Sequence, residues 1–423
     1  MKRILSIPIY PILAAATPVL ILAAINIMEV SIQESFRPLL ISMLAGAFVL
    51  WISWVKTNNW HDAALIAFGI ILIWNVYRYG FTTTLICILL VIVVGSFSLE
   101  YEKFTPTLTI VMNIILVNTT VIICGMILFQ AGERDFGKLQ YRSVSASAVD
   151  PSAPDIYLII VDSYGGRSVL MDEWGYDNDP FLEELQALGF NTGECPPPGP
   201  QTDQSLANIL NPTQRSEDQL WKQIRYSEVA DRLHDRGYST IAYKTGYIWN
   251  EMINADRYVQ PEQHGLNNME KLNIMITPLI LLDGVLFDLR SNYSENRREV
   301  TNNLLDHLAD PVEMAGPQFT FAHIIQPHPP FVWDADGTEL VGEYDFDDID
   351  YRKGYIAQLQ YINTRLIAAL SEITDQNSVI IVTGDHGPRL GDDISVIKVL
   401  CAVRSPETLP LEAQSALDKI INY

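Results

Sequence analysis

The chain has 423 residues, of which 48% are hydrophobic and only 18% charged, and its formal net charge is −22. So much apolar side chain excludes a disordered protein, and four cysteines in this length exclude a small disulfide scaffold. The charge is unevenly placed: residues 1–130 carry six basic and five acidic residues, so almost all of the acidic excess lies beyond them. An acidic chain lacks the clustered Lys and Arg that nucleic-acid phosphates require, which argues against a nucleic-acid partner.

Residues 1–130 contain five apolar runs, near 6–28, 38–55, 63–80, 81–98 and 107–130. Each approaches the roughly 20 residues needed to cross a bilayer, so a bundle of five transmembrane helices is expected. Lys2, Arg3 and the small residues Ala14–Ala16 give the first run the look of a signal peptide. It is too long for that, and four further runs follow, so it reads as an anchor. Lys2, Arg3, Lys56 and Lys103 fall on one side and Arg37 and Arg78 on the other. The positive-inside rule then places the amino terminus in the cytoplasm and, after an odd number of spans, the rest of the chain outside. Charges within the runs are nearly absent, which argues against an ion path and for an anchor.

Residues 131–153 are polar and Ser-rich and read as a linker, leaving 154–423 as an external domain. There the runs 155–162, 239–244, 319–325, 378–383 and 396–402 are too short and too uniformly apolar for helices and read as buried strands. Helical patterns lie near 178–188, 203–210, 217–236 and 350–376. Strands alternating with helices predict an α/β domain with a mainly parallel sheet, whose ligands sit at the carboxyl ends of the strands.

Three polar clusters fall at those ends: Asp162, the segment Gln326-Pro-His-Pro-Pro-Phe331, and Gly384-Asp385-His386-Gly387. A carboxylate and an imidazole side by side at a strand exit can aim at one divalent ion, although a turn with a capping Asp has the same pattern. Thr202 in Gln201-Thr-Asp-Gln-Ser-Leu-Ala207 precedes an apolar helix and fits an N-cap as well as a nucleophile. His323 alternates with Ile324 on a strand and reads as structural, and Asp334 and Asp336 read as turn residues because the remainder of a calcium loop is missing. Cys195 and Cys401 lie far apart, and without a C-x-x-C pair the cysteines indicate neither zinc nor a redox compartment.

Taken in order, Asp162, Thr202, Pro327-His-Pro-Pro330 and Gly384-Asp-His-Gly387 resemble the alkaline phosphatase superfamily. More narrowly they resemble its membrane-anchored sulfatase-like branch, which includes lipoteichoic acid synthases and phosphoethanolamine transferases. The resemblance implies one divalent ion (Mn²⁺, Mg²⁺ or Zn²⁺) held by Asp162, Thr202, Asp385 and His386, with Thr202 also the nucleophile. It places His328 beside the transferred group, and Arg389, three residues after His386, is a further candidate anion contact. Ser163 stands where two-metal members often have a second Asp, which favours a single ion. Cys195-Pro-Pro-Pro-Gly199 matches the cysteine and proline of the formylglycine motif C-x-P-x-R but has Gly199 in place of Arg. Cys195 is therefore the rival nucleophile. The resemblance also implies further chain beyond Tyr423.

The expected protein is a bacterial-type, multi-pass protein of the cytoplasmic membrane with an external catalytic domain. The expected reaction moves a phospho-alcohol head group from a membrane phospholipid to an envelope glycan or lipid acceptor through phospho-threonine. A tethered sulfate or phosphate ester hydrolase is the alternative, and a non-catalytic envelope-binding protein is the second. The oligomeric state is not legible in the sequence.

Overall fold

The computed structural model describes residues 6–27, 32–76, 104–141, 153–213, 218–262, 264–310, 314, 316–342, 348–388 and 398–422. The chain divides into two compact units. Unit 1 contains Met1–Gly137 and Gln263–Leu289, and unit 2 contains Lys138–Glu262 and Arg290–Tyr423. The sequence reading treats 154–423 as one continuous domain, whereas the segment Gln263–Leu289 groups with the amino-terminal helices.

Unit 1 is helical: α1 (Tyr10–Ile25), α2 (Phe36–Thr57), α3 (Trp60–Val76) and α4 (Phe104–Tyr141). Two stretches, Ile32–Thr57 and Phe104–Gly132, are long and apolar enough to cross a membrane, while α1 and α3 are shorter apolar helices. The expected span at 81–98 lies outside the described residues. Small residues let these helices approach closely. At Gly46 a Cβ would stand 2.8 Å from the Cβ of Ala15, and Ala63, Ala64 and Ala67 are fully buried. The free N–H of Tyr10 at the start of α1 is satisfied by the Asn113 Oδ1 of α4, at 2.9 Å.

Unit 2 begins with β1 (Ile156–Val161), followed by α5 (Asp179–Ala187), β2 (Asn191–Cys195), α6 (Thr202–Leu210), α7 (Leu220–Arg225), α8 (Glu228–His234), β3 (Ser239–Tyr243) and β4 (Arg257–Val259). A short helix α9 (Asn268–Ile276) belongs to unit 1, after which α10 (Leu289–His307), β5 (Gln318–Ile324), α11 (Asp348–Glu372), β6 (Val379–Gly384), β7 (Val399–Arg404) and α12 (Ala413–Asn422) follow.

The seven strands form one sheet in the order β2-β7-β6-β1-β5-β3-β4. The pairs β1–β5, β1–β6, β3–β5 and β3–β4 are parallel, and β7 runs antiparallel to both neighbours. The alternation of β1 explains its unbroken apolar run. Ile159 and Val161 enter one core with Leu185, Leu304, Leu359 and Leu366, and Ile156, Leu158 and Ile160 enter the other with Leu206, Leu210, Leu233 and Leu417. Helices thus cover both faces, and the central strands β1, β5 and β6 carry their carboxyl ends to the same edge.

The five expected strands are present, the last shifted to Val399–Arg404 and antiparallel. The helix expected over 217–236 is two helices, because Ser227 takes an extended conformation and caps α8 by accepting from Ala230 N at 3.2 Å. Strands β2 and β4 and helices α9 and α10 were not anticipated. Polar Asn191–Glu194 gives β2 little apolar signal, and it joins the sheet at an edge.

Candidate active site

The site grows from the ends of β1 and β6. Asp162 follows β1 directly and is 4% exposed; Asp385 follows β6 and is fully buried. Close strand packing shapes the second exit: a Cβ on Gly384 would lie 2.4 Å from Tyr164 O. Ser163 has φ +60°, a left-handed conformation costly for a residue with a Cβ. Three bonds hold it: its N–H donates to Asp385 Oδ1 (2.9 Å), its carbonyl accepts from Tyr355 OH (2.8 Å), and its hydroxyl donates to Asp162 Oδ1 (3.1 Å).

Thr202 is the first residue of α6, and Gln201 occupies the N-cap position without a side-chain cap bond. The capping reading of Thr202 therefore fails. Its hydroxyl instead lies 3.2 Å from His386 Nε2, at a helix start where the dipole favours negative charge. On the same imidazole, Nδ1 faces Gly387 O at 2.9 Å. A carbonyl only accepts, so Nδ1 carries the proton and the Nε2 lone pair faces the site, as metal-bound histidines are usually arranged.

His386 Nε2 is 3.4 Å from Asp162 Oδ1 and 3.5 Å from Asp385 Oδ2. The structure also adds a residue. His323, read as structural, is 1% exposed, has its Nε2 3.9 Å from Asp162 Oδ2, and forms a possible ligand group with Asp162 and Asp385. The readable signal was its place near the carboxyl end of a buried strand next to β1, where it pairs in register with Ile160.

Two buried carboxylates side by side, with Asp385 Oδ2 and both His323 nitrogens lacking hydrogen-bond partners, are costly unless a cation joins them. Burial, together with the neighbouring Asp162 charge, pushes the Asp385 carboxyl up to about 6. Burial lowers His323 to about 3, so it stays neutral, as a ligand must be. Hard oxygens with imidazole nitrogens suit a divalent ion such as Mn²⁺, Mg²⁺ or Zn²⁺.

His328 sits in the loop after β5. Burial is the largest cause lowering it to about 4, and the charges of Asp385 and His386 also reach it. Its Nδ1 lies 2.7 Å from Pro329 O, which leaves Nε2 as a proton acceptor. Arg389 lies outside the described residues. Asp334 and Asp336 shape a turn, with Asp336 Oδ1 accepting from Thr338 N at 2.8 Å.

Cys195 is not a free thiol: it forms a disulfide with Cys401 that joins β2 to β7. This removes it as the rival nucleophile and with it the formylglycine reading, and it joins two cysteines that stand 206 residues apart.

Several solved structures are similar over much of the chain. Lipooligosaccharide phosphoethanolamine transferase A from Neisseria meningitidis is 11% identical, covering 88% of this chain and 81% of that one at a TM-score of 0.40. The periplasmic domain of phosphoethanolamine transferase EptC from Campylobacter jejuni is 13% identical (64% and 82%, TM-score 0.37). The phosphonate monoester hydrolase from Silicibacter pomeroyi is 15% identical (64% and 72%, TM-score 0.40). A search of curated proteins finds no match. The family model described as Sulfatase matches residues 154–416, more than half of the chain, and the protein therefore belongs to the sulfatase family of α/β enzymes.

Proposed function

We propose that this enzyme transfers a phospho-alcohol head group from a membrane lipid to a hydroxyl of a cell-envelope glycan or lipid, through a covalent intermediate on Thr202. The observation that carries the reading is the Thr202 hydroxyl at a helix start, 3.2 Å from His386 Nε2, among two buried carboxylates. Asp162, Thr202, Asp385 and His386 would hold one divalent ion, with His323 beside them. Such an ion supplies charge that favours the threonine alkoxide and offsets charge on the transferred group's oxygens.

The chain's own groups supply the rest. Thr202 Oγ attacks phosphorus and bonds to it, the bond from phosphorus to the lipid alcohol's oxygen breaks, and the departing alcohol takes up the proton that the threonine hydroxyl loses. An acceptor hydroxyl then attacks phosphorus, surrendering its proton to His328 Nε2; the bond from phosphorus to Thr202 Oγ breaks, and that proton passes on to restore the threonine hydroxyl. The disulfide supports an oxidising, extracytoplasmic location, and helices of membrane-crossing length support an anchor that keeps the site near lipid.

The test is intact mass with peptide mapping on metal-loaded protein incubated with phospholipid vesicles. A phospho-alcohol adduct on the Thr202 peptide is expected and its mass names the head group. Ester hydrolysis without an adduct selects the hydrolase, and neither product nor bound metal selects a binding protein.

A further inference from the structure

Helix α10 brings a buried cation to the loop that carries His328. Arg297 is 3% exposed, and its Nη2 donates to Pro329 O at 3.3 Å. Its guanidinium carbon lies 5.0 Å from the ring centre of Tyr247 and 5.9 Å from that of Tyr293, and the two tyrosine hydroxyls are 2.7 Å apart. The guanidinium is thus fixed, yet its Nε and Nη1 are buried with no acceptor, and it is the next residue, Arg298, that pairs with a carboxylate, Glu339. One helical turn on, Thr301 shares its face, and its hydroxyl donates to Gln326 Oε1 at 2.6 Å. With the amide so oriented, Gln326 Nε2 is another buried donor with no acceptor.

A guanidinium taken out of water without a counter-ion is unfavourable, as is each unmatched N–H. Three such donors on neighbouring side chains, one of them cationic, describe a missing anion with several acceptor oxygens. We propose that Arg297 and Gln326 form a cradle for the tetrahedral oxyanion of the substrate ester, phosphate or sulfate. A planar guanidinium suits two oxygens of such a group, and shelter from water strengthens the contact. The contacts of Arg297 with Pro329 O and of Thr301 with Gln326 put the cradle on the loop that follows β5 and carries His328. The inference rests on the proposed transfer reaction and adds the residues that grip the transferred group.

The experiment uses the full chain in detergent, loaded with Mn²⁺, and titrates inorganic phosphate and, separately, sulfate, reading affinity by calorimetry and thermal midpoint. Wild type should be stabilised by one or both anions. Arg297→Met should weaken that anion about ten- to a hundredfold, and Gln326→Leu less. Arg297→Lys, which keeps the charge but not the fork, should fall between and serves if the Met variant does not fold. Phosphate or sulfate dependence in wild type names the favoured anion. Absence of stabilisation by either, or unchanged affinity in a folded Arg297 variant, overturns the cradle; a lowered midpoint with unchanged affinity assigns Arg297 a purely structural role and overturns it too. A Thr202 adduct in wild type with anion affinity indifferent to Arg297 removes the cradle and keeps the transferase. Arg297-dependent affinity without an adduct does the reverse.

Discussion

Asp385→Asn should change sign with the metal. In the metal-free protein the Asp385 carboxyl is held at about 6 by burial and by Asp162, against an ordinary value of 3.8. A carboxyl raised on folding leaves stability intact below its unfolded value and removes it as pH rises through the folded one. The window is about pH 4 to 6, and the gap of roughly two pH units amounts to about 3 kcal/mol at pH 7.5. An asparagine keeps the acceptor that serves Ser163 N and His386 N, at 2.9 and 2.7 Å, while removing the charge. Metal-free Asp385→Asn should therefore melt above metal-free wild type at pH 7.5, by about 6–12 °C for a domain of this size, and the gain should vanish near pH 4. With Mn²⁺ the order should reverse, since wild type gains a bound ion that the variant holds weakly. The assay is the thermal midpoint at both pH values, with and without chelator, alongside metal content. A variant less stable by the same amount under all conditions would show that Asp385 is an ordinary buried hydrogen-bonding residue, and the charge argument would be refuted.

Thr202→Ala should abolish turnover with a thermal midpoint within a few degrees of wild type, because the hydroxyl caps nothing; residual turnover above about 1% would remove Thr202 as nucleophile, on the scale of losses seen when a nucleophile is deleted. Replacing Cys195 and Cys401 together by Ser should keep the chemistry but cost about 2–5 kcal/mol of stability, since the disulfide closes a separation of 206 residues. Loss of turnover in protein shown to be folded would return Cys195 to the site. Tyr355→Phe removes the donor to Ser163 O and should lower kcat more than it raises KM by loosening the left-handed turn between the two carboxylates. Unchanged kcat would show that the turn is held without it.

The fold class was legible because the buried strands advertise themselves. Two-sided burial of β1 and β6 demands apolar side chains at nearly every position, so Ile156–Val161 and Val379–Gly384 stand out in one dimension. Asp162, Asp385 and His386 were legible for the same reason, as polar residues interrupting those runs at strand exits. The edge strand β2 carries no such pattern, and α10, with its charged Arg297-Arg298 pair, reads as a solvated surface when it is in fact half-buried.

Sequence alone thus determined the apolar helices, the α/β domain and the order of the polar clusters, because each is written in local periodicity. Only tertiary structure decided which polar residues meet. Parallel pairing of β1 with β5 turned His323 from a strand residue into a neighbour of Asp162, and antiparallel pairing of β7 with β2 made Cys195 a disulfide partner. The helix start set Thr202 toward His386 and not toward its own backbone. Contacts between residues some 160 to 220 positions apart depend on strand order and register, and no local pattern in the chain encodes them.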